Sequence, residues 1–266
     1  AADALANLAA HAASVEVLAA SPTASTAWLD AATRLCASRR PETRAASVRA
    51  ARSYLRAAPP GSFSDSTSGV DARVTAALVR AIAARLSDPD ELLSTRVDAA
   101  GCASSLAAGA GVVAGTPGEP AMVDALVAAS RFARARHETR ACIVETDTFA
   151  ETKRVHAQLR QLARLAAAAT RNLCAQVSRE QTTAGVSAES FARLARAAKE
   201  AAGIPSRGGG AADPASTAAV AEALACLARI AKKRNDARHV EEDEANDGAE
   251  DASTARRLAE AAAAAA

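Results

Sequence analysis

The side chains able to do chemistry are few and scattered. His11, His137, His156 and His239 form no motif, and none sits in the His-Glu-x-x-His arrangement that would put two imidazoles beside a carboxylate base on one helix face. Cys36, Cys102, Cys142, Cys174 and Cys226 are odd in number, widely spaced and set in apolar contexts. They read as buried small hydrophobes in a reducing compartment rather than as a disulfide framework. No cysteine pair has zinc-ribbon or redox spacing, and His137 with Cys142 would need two further ligands that nothing nearby supplies. Asp88, Asp90 and Glu91 resemble the carboxylate clusters of some helical enzymes, but Pro89 among them makes a helix-start turn the simpler account. Gly208, Gly209 and Gly210 lack the preceding strand and the Gly-Lys-Ser/Thr ending of a phosphate loop, so they read as a connector. No serine has a nucleophile-elbow context. The expectation is a chain that is not an enzyme and that carries no metal or cofactor.

One constellation has geometry. On a helix predicted over residues 152–177, Val155, Leu159, Leu162, Ala166, Ala169, Leu173 and Val177 share one stripe, a buried face. Lys153, Arg160, Arg164 and Arg171 share the opposite side. At the rise of a helix they make a basic row about 27 Å long. The ordinary alternative is a solvated outer face, which any such helix must have.

The elements that would carry this row are helices throughout. Half of the 266 residues are apolar, with alanine dominant and aromatics at 2%, so helices can approach closely while each buried side chain contributes little. Strand formers never alternate over a useful length. The pattern predicts helices over 26–38, from Pro41 to about Ala57, and over 71–87, 91–108, 121–136, 152–177, 188–202 and 216–234, after an opening helix from Ala4 to Ala10 that extends towards Leu18 until Pro22 interrupts it. Pro59 to Gly69, Gly109 to Pro120 and Gly203 to Pro214 read as connectors, and residues 137–150 as the least regular stretch.

Five of these segments repeat a small residue four positions ahead of a leucine: Ala4 and Leu8, Ala51 and Leu55, Cys102 and Leu106, Ala169 and Leu173, Ala223 and Leu227. Recurrence at intervals of 47, 51, 67 and 54 residues predicts stacked helical units, an all-α fold of the α-solenoid kind. The runs Ala4-Leu5-Ala6-Asn7-Leu8-Ala9, Ala169-Thr170-Arg171-Asn172-Leu173-Cys174 and Ala223-Leu224-Ala225-Cys226-Leu227-Ala228 resemble the third helix of armadillo repeats. Arg171-Asn172-Leu173-Cys174-Ala175, with Gln181 and Ala184-Gly185 after it, is similar to the ataxin-ten branch of that superfamily. Tyr54, Ser105 and Cys226 stand where asparagine would be expected, and HEAT-like helix pairs use the same small-residue packing. The resemblance implies a concave groove lined by third helices, with Asn7 and Asn172 holding the backbone of an extended peptide. The alternative is that each asparagine bonds neighbouring backbone.

The division expected is a repeat domain over 1–240 and a flexible tail over 241–266. In that tail seven acids fall within residues 241–251, and a terminal alanine run has no partner face. The 28 arginines against four lysines fit the codon bias of a GC-rich genome, and a net charge of +2 does not point to nucleic acid. No run of eighteen uncharged apolar residues appears, so no membrane span is expected. The reading is a non-catalytic helical scaffold for a protein or peptide with acidic groups, in an intracellular, cytoplasmic setting that leaves organelle import open. Its alternative is a structural subunit of a larger assembly.

Overall fold

The computed structural model describes residues 12–58, 71–110, 118–140, 149–180, 188–202 and 214–232, with Asn235. Asn7, the opening helix around Ala4, most of the three connectors and the tail over 241–266 lie outside the described residues. Every regular element described is helical: α1 (Ala12–Ala19), α2 (Pro22–Cys36), α3 (Pro41–Ala57), α4 (Ala72–Ser87), α5 (Leu93–Ser105), α6 (Glu119–Arg140), α7 (Phe149–Glu180), α8 (Ala188–Ala202) and α9 (Pro214–Lys232). A π-helical turn, Leu106–Ala110, extends α5.

Local chemistry sets these bounds. The helix expected to stop before Pro22 ends at Ala19, and Pro22 also opens the next one, because proline at the first position loses only an N–H that has no helical acceptor. Ser21 caps it, its Oγ accepting from the Ala24 N–H at 3.4 Å. Asp71 caps α4, accepting from the Arg73 N–H at 2.8 Å. Between α4 and α5, Asp88 accepts from the Asp90 N–H at 3.0 Å, which holds the turn and delays α5 to Leu93. Part of the stretch read as irregular is helical too, since α6 continues to Arg140.

The helices form two layers. α2, α4, α6 and α8 pack each on the next, and so do α3, α5 and α7, while α2 with α3, α4 with α5, α6 with α7 and α7 with α8 join the layers. α9 packs on the α7–α8 pair: its Ala223, Cys226, Leu227 and Ile230 share the main core, and its Ala219 and Val220 cluster with Ala167 of α7 and Ala201 of α8. Four of the five recurrent pairs singled out in the sequence fall within the described residues, on α3, α5, α7 and α9, though the same spacing also occurs in the first layer, as Ser25 and Leu29 on α2. Ala51 and Leu55 lie on α3, Cys102 and Leu106 at α5 and its π turn, Ala169 and Leu173 on α7, and Ala223 and Leu227 on α9, all buried. A small residue followed one turn later by leucine lets each helix approach its neighbour and then fill the space beside it.

Two polar devices reinforce the stack. Trp28 of α2 stacks on Tyr54 of α3 with ring centroids 4.3 Å apart, and Tyr54 Oη is 2.9 Å from Ser25 Oγ. Glu91, whose side chain is wholly buried, accepts from Arg44 Nε at 2.7 Å and Arg85 Nη1 at 2.9 Å. Arg44 also donates to the Ser38 and Arg39 carbonyls, so one carboxylate binds the turns of two successive helix pairs.

Candidate partner-binding surface

The 32-residue α7 is the longest helix described and carries the basic row. Leu159, Leu162, Ala166, Ala169, Leu173 and Val177 are buried, Val155 half-buried, and Lys153, Arg160 and Arg164 exposed. Arg171 is only half-exposed. Its Nε and Nη2 donate to Asn172 Oδ1 at 3.0 and 2.9 Å, and its Nη1 lies 3.5 Å from Glu222 of α9. Asn172, 9% exposed, donates from Nδ2 to the Ser104 carbonyl of α5 at 3.0 Å. That carbonyl lies where α5 passes into its π turn, so the amide serves a backbone group rather than solvent. The row therefore runs on the outer surface of the second layer, bordered by α5 through Asn172 and by α9 through Glu222.

The same surface continues onto α3, which sequence reasoning left out. Arg49, Arg52 and Arg56 are spaced three and four residues apart, a legible signal, and reach the solvent side. Arg52 Nη1 donates to Asp98 Oδ1 of α5 at 2.6 Å, and Arg49 Nε lies 3.8 Å from Asp98 Oδ2. Between the rows, α5 and its π turn reach solvent through the half-buried Leu93 and through Ser94, Asp98, Ser104, Ser105 and Ala108, with Gly101 buried beneath Arg52. A Cβ at Gly101 would stand 2.5 Å from Arg52 Nε, so glycine is what lets the guanidinium lie across α5 to Asp98. The result, beyond Leu93 at the start of α5, is a low strip of short side chains flanked by arginines from two helices. Asp98 pairs with Arg49 and Arg52, and Glu222 with Arg171, while Arg56 and Arg160 have no ion-pair partner among the described residues. Guanidinium forks spaced in this way suit carboxylates, which they can grip through two N–H donors.

The remaining reactive groups are enclosed. Cys36, Cys102, Cys174 and Cys226 are free and buried. Burial raises the Cys102 thiol well above its ordinary value and pushes Cys174 up to about 12, and it raises Cys36 against the opposing bond from Ser47. These three thiols stay protonated and are poor nucleophiles. Cys142, His11 and His239 lie outside the described residues, and His156 is half-buried on α7. Among the described residues no three His, Cys, Asp or Glu side chains converge as metal ligands would. Arg96 is buried against the face of Phe132, its Cζ 3.6 Å from the ring centroid, and its Nε donates to the Leu86 carbonyl at 3.1 Å. Desolvation pulls its guanidinium down to about 10, which still leaves it charged at neutral pH.

No known protein decides the matter. No family profile, curated protein or solved structure matches the chain. One helix described, α9, is long and apolar enough to cross a membrane by length and composition, and a third of that stretch is buried in the fold.

Proposed function

We propose that this chain is a non-catalytic α-solenoid of the armadillo/HEAT-like kind that binds an acidic protein segment along the outer surface of the α3–α5–α7 layer. The observation that carries the proposal is the pairing of Arg49, Arg52 and Arg56 on α3 with Arg160, Arg164 and Arg171 on α7 across the low strip of α5. Of these, Arg56 and Arg160 have no ion-pair partner among the described residues, which leaves unpaired positive charge on this face of a chain whose net charge is only +2. A peptide fits better than nucleic acid, because none of these solvent-facing positions offers an aromatic ring on which bases could stack. The other reading, a structural subunit of a larger assembly, is favoured by Val17 and Leu92, large apolar side chains exposed at 72% and 52%. They lie singly, as surface apolar residues commonly do.

The test uses the full chain and a fluorescein-labelled deca-glutamate peptide, with binding followed by anisotropy at low and moderate salt. Reversing Arg160 and Arg164 to Glu, or Arg49 and Arg56 to Glu, should weaken binding about tenfold or more and flatten its salt dependence. Thermal unfolding should change little for the α7 pair, since the opposite face of α7 carries the packing. Affinity unaffected by either double reversal would return both rows to ordinary solvated helix surface, and a labelled oligothymidylate bound as tightly as the peptide would move the proposal to nucleic acid.

A further inference from the structure

The floor of the arginine-flanked surface carries an acid. Asp98 is the one carboxylate in α5, and it stands between the arginines of α3 and those of α7. It is tightly held. Arg52 Nη1 donates to its Oδ1 at 2.6 Å, the two side chains being 28% and 17% exposed, and Arg49 Nε lies 3.8 Å from its Oδ2. Glu222, the acid paired with Arg171, is a looser partner, 3.5 Å away and 62% exposed. Of the two, the shorter and more sheltered contact is the less screened by salt.

The backbone is shaped for the Asp98 contact. Gly101 lies inside α5, one turn beyond Asp98, where glycine weakens a helix relative to alanine. Arg52 occupies the space that a Cβ there would take, its Nε, Cδ and Cζ standing 2.5, 2.9 and 3.1 Å from that position. Glycine thus lets the guanidinium lie flat on α5 and reach Asp98 instead of standing up into solvent.

A guanidinium held in this way cannot take a second anion freely. A carboxylate arriving at Arg52 or Arg49 either draws it off Asp98, leaving a partly buried acid without its partner, or settles beside Asp98 as a like charge. Both oppose binding. Asparagine in place of Asp98 would remove both obstacles while keeping an oxygen that accepts from Arg52.

We propose that Asp98 is a resident stand-in for the ligand, an acid that occupies Arg52 and Arg49 in the free protein and competes for them with the carboxylates of an acidic peptide. This rests on the binding of acidic segments proposed above. The test is anisotropy of the fluorescein-labelled deca-glutamate on the full chain at low and moderate salt, for the wild type, Asp98→Asn, Gly101→Ala and the Arg160→Glu, Arg164→Glu double reversal, each checked for folding by thermal unfolding. Asp98→Asn should bind about threefold more tightly or better, and the ratio to wild type should persist at moderate salt, because the competing contact is sheltered. Gly101→Ala changes no charge but fills the space under Arg52, and it should tighten binding about twofold or better by freeing that guanidinium. Wild-type binding that is weakened by the double reversal but unchanged in Asp98→Asn would overturn the competition alone. Weaker binding in Asp98→Asn would overturn it too, and would make Asp98 a residue that positions Arg52 for the peptide. A gain in Asp98→Asn that vanishes at moderate salt, with no gain in Gly101→Ala, would show that the acid acts only through its field. No binding by wild type or by Asp98→Asn would overturn the peptide reading and the competition with it.

Discussion

At the scale of single residues, Glu91 has the most to hold. Its side chain is wholly buried, and the two arginines it joins come from different helix pairs, so neutralising it leaves two guanidinium groups facing each other without their shared anion. Glu91→Gln should cost about 3 kcal/mol, in the range for breaking a buried pair by removing one partner. Urea denaturation checks this, with Asp90→Asn as the exposed control that should change stability by less than about 0.5 kcal/mol. The acidic turn from Asp88 to Glu91 was legible in the sequence as a turn, and Asp88 does hold it. Nothing in the sequence distinguished Glu91 from its neighbours, because its role depends on Arg44, 47 positions away. Asn172 teaches the same lesson: its pattern matched a groove-lining asparagine, and the carbonyl it reaches was visible only once α5 lay beside α7.

At the scale of elements, α6 and α8 are clasped by Glu200, which accepts from Arg131 Nη2 at 2.7 Å and from Arg134 Nη2 at 3.0 Å. The hydrogen bond from Arg131, with the charges of both arginines, holds the Glu200 carboxyl below its ordinary value of 4.5. In the unfolded chain the carboxylate takes up a proton at that ordinary value, while in the fold it stays ionised to lower pH. The clasp therefore contributes fully above about pH 4.5 and is lost as pH falls through the depressed value. Thermal unfolding between pH 6 and pH 3 should show this as a loss of stability that is shallower in an Arg131→Gln, Arg134→Gln double variant. An equal slope in both would show that other carboxylates govern the acid limb. The partly exposed Arg131 makes the contribution modest. Helices themselves were well read from periodicity and proline placement. Which helices meet was not, since pairing follows from surfaces that only the assembled layers bring together.

At the scale of the whole molecule, α2 to α8 pack chiefly against their neighbours in chain order and two elements away, so contact is unevenly shared among the helices. α5 touches α3, α4 and α7, whereas α1 touches only α2 and α3 among the described residues to any extent. Native-state hydrogen exchange should therefore be graded, slowest in α5, the core of α7 and α4, and fastest in α1. Uniform protection across the array would show one indivisible cooperative unit instead. The pair of small residue and leucine falls on α3, α5, α7 and α9, but the same spacing also occurs on the other layer, as Ser25 and Leu29 on α2 and Ser190 and Leu194 on α8, so the recurrence marked helices that pack closely without separating the layers.

The core is built largely from a residue that has almost nowhere to go. Ala51, Ala99, Ala100, Ala129, Ala166, Ala169, Ala198 and Ala223 are each buried to within 1% or less. A leucine core can drift through isoleucine, methionine or valine and keep its volume, but alanine can shrink only to glycine, which weakens the helix, or grow by whole methyl groups into occupied space. Its backbone neighbours cannot yield by changing rotamer, since alanine has none. Substitution at these sites is thus blocked in both directions, while the arginine-bearing surface a few ångströms away is free to vary, so the shape of this molecule should persist in lineages long after that surface has changed.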